Sequence, residues 1–373
     1  MTDFTMNLRF FLSALGIVVL ASGVALSAAA AHEIWVDWHG RPENHDAPFS
    51  MNAIPLGVLG DSDSQSYHND FSEPTRFGRY RDVTFQWTEV LSRLRGNQLD
   101  LGVWGVRGTR RSLAMLMDVL GLRGRHPRKE DFLYNLAFGG AGCDSLTGYT
   151  GRQAPRLLAE MNRDPVRWRR GVVVIRIGIN DMSDKKVVAA AARDPADPII
   201  RARADACIAR IRASIAMIQD RHPMTRFVLV GLLNNADDPP EFGRWRSGPS
   251  YRNIRAGLDV FDRELRKLAA SDRRLAFFDD RAWFESHWGT RAADGTPNYK
   301  TVYIGPERFP VTLTQGDHPS NAVTQDLHAG VVWTTLWAQS LVALLDSTFD
   351  MKIPPITDSE VARALRPGLE RPK

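Results

Sequence analysis

The sequence predicts an α/β protein, one three-layer α/β/α domain in which helices cover both faces of a parallel five-stranded sheet. Three observations lead there. Short apolar runs alternate with stretches of helical spacing from about residue 50 onward. No linker is long enough to divide that alternation. Hydrophobic residues make up 43% of 373 residues, enough for one sizeable core.

Taken in order, the chain begins with Arg9 ahead of an apolar run from Phe10 to Leu26, then SAAAAHE with A-x-A patterns ending near Ala30 or Ala31. Residues 1–31 therefore read as an export signal, with an uncleaved anchor as the alternative because the run is at the short edge for a membrane span. The localisation expected is periplasmic or extracellular. Residues 32–49 mix aromatics, His, Pro and Asn without periodicity and read as an arm. His32, His39 and His45 lie there, but nothing supplies a second shell for a metal.

The domain is expected over 50–350, with 351–373 as a tail. Its strands are the runs at 54–59, 99–104, 171–177, 227–232 and 275–278. Its helices fall at 86–94, 152–162, 198–219 and 253–270. In the third of these Ile200, Ala204, Cys207, Ile208, Ile211, Ile215 and Ile218 form one stripe, which makes Cys207 a core residue. Whether Cys207 pairs with Cys143, the only other cysteine, or both are separate buried thiols stays open. Segments 105–131 and 234–251, rich in Gly, Arg and Pro, read as loops near the site entrance.

The net charge of +5 is mild, and the local basic clusters carry no nucleic-acid-binding motif and no zinc-ligand spacing. No nucleic-acid partner, metal or cofactor is expected. A membrane partner is expected only if the N-terminal segment stays uncleaved.

In an open parallel sheet ligands bind beyond the carboxyl ends of the strands. Two apolar runs there end in informative residues. IPLGVLG leads into Asp61-Ser62-Asp63-Ser64, which puts a hydroxyl on a strand-to-helix turn, and VVVIRIG leads into Ile179-Asn180-Asp181, which can set a carboxamide beside it. Asp181 itself reads as a cap or turn residue.

These blocks resemble the SGNH (GDSL-like) hydrolases, whose pattern is a GDS serine, a glycine, a G-x-N-D asparagine and a late histidine. The resemblance covers nearly all of the chain after the signal. It implies a flavodoxin-like SGNH fold and a serine esterase working through an acyl-enzyme on a small-molecule or glycan ester. By that pattern Ser62 is the nucleophile, and the oxyanion hole is formed by the N–H groups of Ser62 and Gly140 and the amide of Asn180. Gly140, in YNLAFGGAG, is preferred to Gly108, which follows another strand.

The base is His318 or His328. His318 is favoured because Pro319 follows it and Ser320 or Asn321 can cap the last apolar helix, which would leave His328 inside that helix. The family's D-x-x-H aspartate is missing, since position 315 is Gln. Asp317 is the preferred carboxylate, Asp279 the alternative, and a dyad without a carboxylate is also open. The same machinery would serve a glycan deacetylase or acyltransferase, and the missing aspartate leaves a non-catalytic binding protein as a third reading.

Overall fold

The structure is a computed structural model describing residues 52–120, 124–148 and 151–372. The signal and arm expected at the N-terminus lie outside the described residues. Among the described residues, no helix is long and apolar enough to cross a membrane.

A parallel sheet organises the molecule. Strands β1 (Ile54–Gly60), β2 (Leu99–Asp100), β5 (Val172–Arg176), β6 (Arg226–Val230) and β7 (Leu275–Phe278) lie in the order β2-β1-β5-β6-β7. The five-stranded α/β/α architecture read from the sequence is thus the one observed. Side chains alternate between the faces, as a two-residue period requires. Leu56, Val58, Val172, Val174 and Val228 pack with the helices Trp87–Arg95, Asp280–Trp288 and Val331–Phe349. Leu59, Val173, Ile175, Phe227 and Leu229 pack with Gln153–Met161, Pro198–Arg221 and Gly248–Ala270.

The run at 99–104 does not continue as one strand. Gly102, at φ 80°, takes up a left-handed conformation that favours glycine and turns the chain. It then forms β3 (Trp104–Arg107), antiparallel to β4 (Lys129–Phe132), with the helix Arg111–Val119 between them. The segment expected as a loop is therefore a structured flap. Beyond β7 lie strands the sequence did not announce: a hairpin, β8 (Gly289–Arg291) with β9 (Pro297–Tyr299), and a small sheet of β10 (Val302–Ile304), β11 (Phe309–Gln315) and β12 (Asn321–Val323).

Two further features bear on the site. Cys143 and Cys207 are joined by a disulfide with their Cα atoms 5.1 Å apart. The packed body also continues past residue 350, because Ile353, Ile356, Val361, Leu365 and Leu369 are buried in the same core as the last long helix.

Candidate active site

The turn after β1 carries Ser62, and it is fixed from beneath. The carbonyl of Asp61 accepts the N–H groups of Ser64 (3.1 Å) and Gln65 (3.0 Å), while the Asp61 Oδ1 accepts that of Asp63 (3.0 Å). No helix follows directly, contrary to the strand-to-helix reading; the next long helix starts at Trp87. Instead the turn is held by its neighbours. The Asp63 carbonyl accepts Trp87 Nε1 (3.1 Å) and Arg176 Nη1 (2.9 Å), and Asn135 Nδ2 donates to the Ser64 carbonyl (2.8 Å). Arg176, at the end of β5, is buried and paired with Asp280 at 2.9 Å, whose other oxygen accepts Trp337 Nε1 at 2.8 Å. A buried charge compensated in this way resists displacement, because breaking the pair would strand an ion in the core.

Ser62 is half-buried, and it lines a cleft of about 500 Å³ with Gln65, Gly139, Gly140, Arg76, Asp326 and His328. Gly140 has φ 71° and its Cα faces open space, so the backbone can present its N–H to a ligand without a side chain in the way. The N–H groups of Ser62 and Gly140 have no hydrogen-bond partner among the described residues. Asn180 stands beside the Gly140 loop on the short helix Ile179–Met182, with its Nδ2 donating to the Ala141 carbonyl at 3.0 Å. Asp181 accepts the Cys143 N–H at 2.8 Å, so the 140–143 loop is tied to the end of β5 by both residues and to the helix Pro198–Arg221 by the disulfide. Gly108 is elsewhere, at the end of β3, close against the backbone of Arg125 and Pro127.

The histidines are arranged otherwise than expected. The last long helix begins at Val331, because Asn321–Val323 pair as a strand with β11 instead of opening a helix. His328 therefore lies on the turn before the helix, in the cleft with Ser62. Its Nδ1 faces Asp326 Oδ1 at 3.1 Å. Asp326 also accepts Thr324 Oγ1 (2.6 Å) and Arg76 Nε (2.7 Å). Burial works against its ionisation, but the bond from His328 and the charge of Arg76 outweigh it and hold the carboxyl well below the usual range.

His318 is engaged away from the cleft. Its Nδ1 accepts the Ser320 N–H (3.0 Å), its Nε2 donates to the Arg371 carbonyl (2.9 Å), and its ring meets the Tyr80 ring edge-on at 5.3 Å. Among the described residues, neither expected carboxylate faces a histidine. Asp317 Oδ1 accepts the Gln325 N–H at 2.9 Å, and Asp279 caps the helix Asp280–Trp288 and pairs with Arg266 at 2.5 Å. The residues that sequence reasoning passed over are Asp326, Arg76 and Tyr67. Asp-x-His in TQDLH was the available signal for the first. Tyr67, fully buried, donates its hydroxyl to the Ala329 carbonyl at 2.8 Å and so pins the histidine turn to the segment after Ser62.

A serine, a histidine facing a carboxylate, and unpaired N–H donors in one cleft are the parts of a nucleophilic hydrolase. The GDSL-like Lipase/Acylhydrolase family matches residues 58–323, well over half of the chain. The chain belongs to this family. It is an ester-hydrolysing enzyme. The matched span takes in Ser62, Gly140 and Asn180 and stops short of Asp326 and His328.

Among solved structures the GDSL-family chain is similar to the lipase Lip_vut3 from a goat rumen metagenome, at 12% identity over 78% of this chain and 97% of that one, with a TM-score of 0.39. It is similar to phospholipase A1 from Streptomyces albidoflavus NA297 at 15% identity, over 79% and 99% of the two chains, TM-score 0.38. A third is an extracellular lipase from Streptomyces rimosus at 17% identity, 70% and 89% coverage, TM-score 0.34. No curated protein matches the chain.

Proposed function

We propose that the protein is a serine esterase in which Ser62 is the nucleophile, His328 the base and Asp326 the carboxylate behind it. The observation that carries this is the cleft shared by Ser62, Gly140 and His328, with His328 Nδ1 directed at Asp326. Ser62 Oγ adds to the ester carbonyl while His328 Nε2 takes its proton, and Asp326 stabilises the resulting imidazolium through Nδ1–H. The negative charge on the carbonyl oxygen is met by the N–H groups of Ser62 and Gly140 and by the second Nδ2–H of Asn180. Collapse expels the alcohol, which leaves with the proton from His328. Water, deprotonated by His328, then attacks the acyl-serine and regenerates Ser62.

Ser62→Ala is expected to abolish both p-nitrophenyl acetate hydrolysis and labelling by a fluorophosphonate. Hydrolysis at the wild-type rate by this variant would refute the assignment.

A second reading, an O-acyl esterase or acyltransferase acting on a glycan, is favoured by the polar lining of the cleft. Gln65, Ser72, Glu73, Thr75 and Arg76 line it with His328, a polar surface that a hydroxylated leaving group can bond. Partitioning of the acyl group between water and an added sugar acceptor separates transfer from hydrolysis. Export is supported by the apolar segment before Ala31 and by the Cys143–Cys207 disulfide, a bond that persists in oxidising compartments. N-terminal sequencing of the mature protein should begin near His32; an intact Met1 terminus in a cytoplasmic fraction would contradict it.

A further inference from the structure

The cleft lies beyond the carboxyl ends of the strands; the opposite edge of the sheet, where the strands begin, is gathered from arginines. The chain reaches the foot of β5 through Arg169-Arg170, the foot of β6 through Arg221–Thr225 and the foot of β7 through Arg273-Arg274. These approaches lie against one another. The Gly171 carbonyl accepts the Arg226 N–H (3.1 Å) and the Arg274 carbonyl that of Phe227 (2.8 Å). Arg274 Nη1 donates to the Pro223 carbonyl, and Arg169 Nε faces Met224 Sδ at 3.5 Å.

Charge at this edge is only partly balanced. Arg221 pairs with Asp220 at 3.3 Å and Arg274 with Asp272 at 2.5 Å. Asp164 and Asp346 accept the backbone N–H groups of Arg167 and Lys352 at 3.1 and 2.8 Å. Arg169, Arg170, Arg226 and Arg273 have no carboxylate at ion-pair distance among the described residues, and all but Arg226 are exposed. Two apolar side chains project among them. Val166, whose carbonyl accepts the Arg169 N–H at 3.3 Å, is 75% exposed, and Met224 is 50% exposed.

Arginines around projecting apolar side chains match an anionic lipid surface, whose headgroups neutralise the guanidinium groups while the acyl boundary covers the apolar tips. A soluble polyanion would use the arginines alone. The course of the chain points the same way. β1 starts at this edge, and the Ala53 carbonyl just before it accepts Arg167 Nη2 at 3.3 Å. The apolar run Phe10–Leu26 therefore joins the domain at its arginine end and not at its cleft.

We infer that this edge is a docking surface for an anionic phospholipid bilayer. Ser62 lies past the far end of β1, and its seven residues span roughly 20 Å, so the docked protein holds its cleft clear of the lipid beneath it. The inference is independent of which residues perform the chemistry.

The test mixes the protein, as an exporting host processes it, with vesicles of phosphatidylcholine alone or with about a third phosphatidylglycerol, and reads co-sedimentation. Binding should need the anionic lipid and fade as salt screens it. Arg169→Gln/Arg170→Gln/Arg273→Gln should weaken it about a hundredfold, at about fivefold per arginine, with an unchanged thermal melt. Arg193→Gln/Arg201→Gln/Arg246→Gln removes the same charge from exposed positions toward the cleft end. It should bind within about threefold of wild type, because charges beyond a Debye length from the lipid are screened. Val166→Ser/Met224→Ser should bind the vesicles severalfold more weakly. Equal binding to both vesicle types, or equal loss in the two triple variants, overturns the docking surface. So does binding to dextran sulfate that matches the vesicles and ignores Val166→Ser/Met224→Ser, which would make this edge a polyanion site.

Discussion

A serine hydroxyl is a poor nucleophile at neutral pH unless a base is within reach, so the two tail histidines make opposite predictions. His328→Ala removes the imidazole in the cleft and is expected to lower kcat by 10² to 10⁴ with little change in melting temperature. His318→Ala removes a ring that holds the Arg371 carbonyl, so it is expected to lower the melting temperature by a few degrees and leave kcat within about threefold. Steady-state kinetics and thermal melts on both variants decide the matter; a large kcat loss in His318→Ala with none in His328→Ala would reverse the assignment. The positions of Ser62 and Asn180 at the ends of parallel strands were legible because each lies just past an unmistakable apolar run. The position of His328 before the last helix was not, and the reason is physical. Ser320 and Asn321 are good caps locally, but Asn321 and Val323 pair with Thr312 and Gln315, a non-local contact that local chemistry does not announce.

At the scale of elements, the loop after Gly140 depends on tethers that are far apart in sequence. The disulfide spans 64 residues and sits three positions beyond Gly140, next to the Asp181 carboxylate that holds the Cys143 N–H. In the chain-entropy picture a loop of that length is worth about 4 kcal/mol of stability. The double variant Cys143→Ser/Cys207→Ser is therefore expected to unfold at markedly lower denaturant. Its loosened 140–143 loop should also lower kcat more than it raises KM, because an oxyanion donor acts chiefly in the transition state. Urea titration and kinetics with and without reductant check both, and equal midpoints for wild type and variant would show that the bridge contributes nothing. The helix stripe put Cys207 in the core from sequence alone, whereas its pairing required the separation of two elements that periodicity cannot supply.

On the scale of the molecule, the parallel sheet and its two helical layers were readable because buried strands and amphipathic helices each leave a period in the sequence. The end of the domain was not. Residues 351–369 carry too few apolar positions in a row to read as core, yet they close the face formed by the helices Trp87–Arg95 and Val331–Phe349. They are anchored by Arg95, which pairs with Glu360 at 2.9 Å and donates to the carbonyls of Pro354 and Pro355. Ile353, Ile356, Val361, Leu365 and Leu369 are buried, and at about 1.5 to 3 kcal/mol per buried side chain their loss amounts to roughly 7 to 15 kcal/mol. That equals the whole stability of an ordinary domain. Truncation after Asp350 is therefore expected to give a chain with no cooperative melt. Arg371→Ala, which removes an exposed pair with Asp82 and a bond to the Arg79 carbonyl, should melt within about 2 °C of wild type. A truncated protein that melts cooperatively at the wild-type temperature would mean that the core is complete without its last helix, and that the clasp between His318 and Arg371 is ornamental rather than part of the closure.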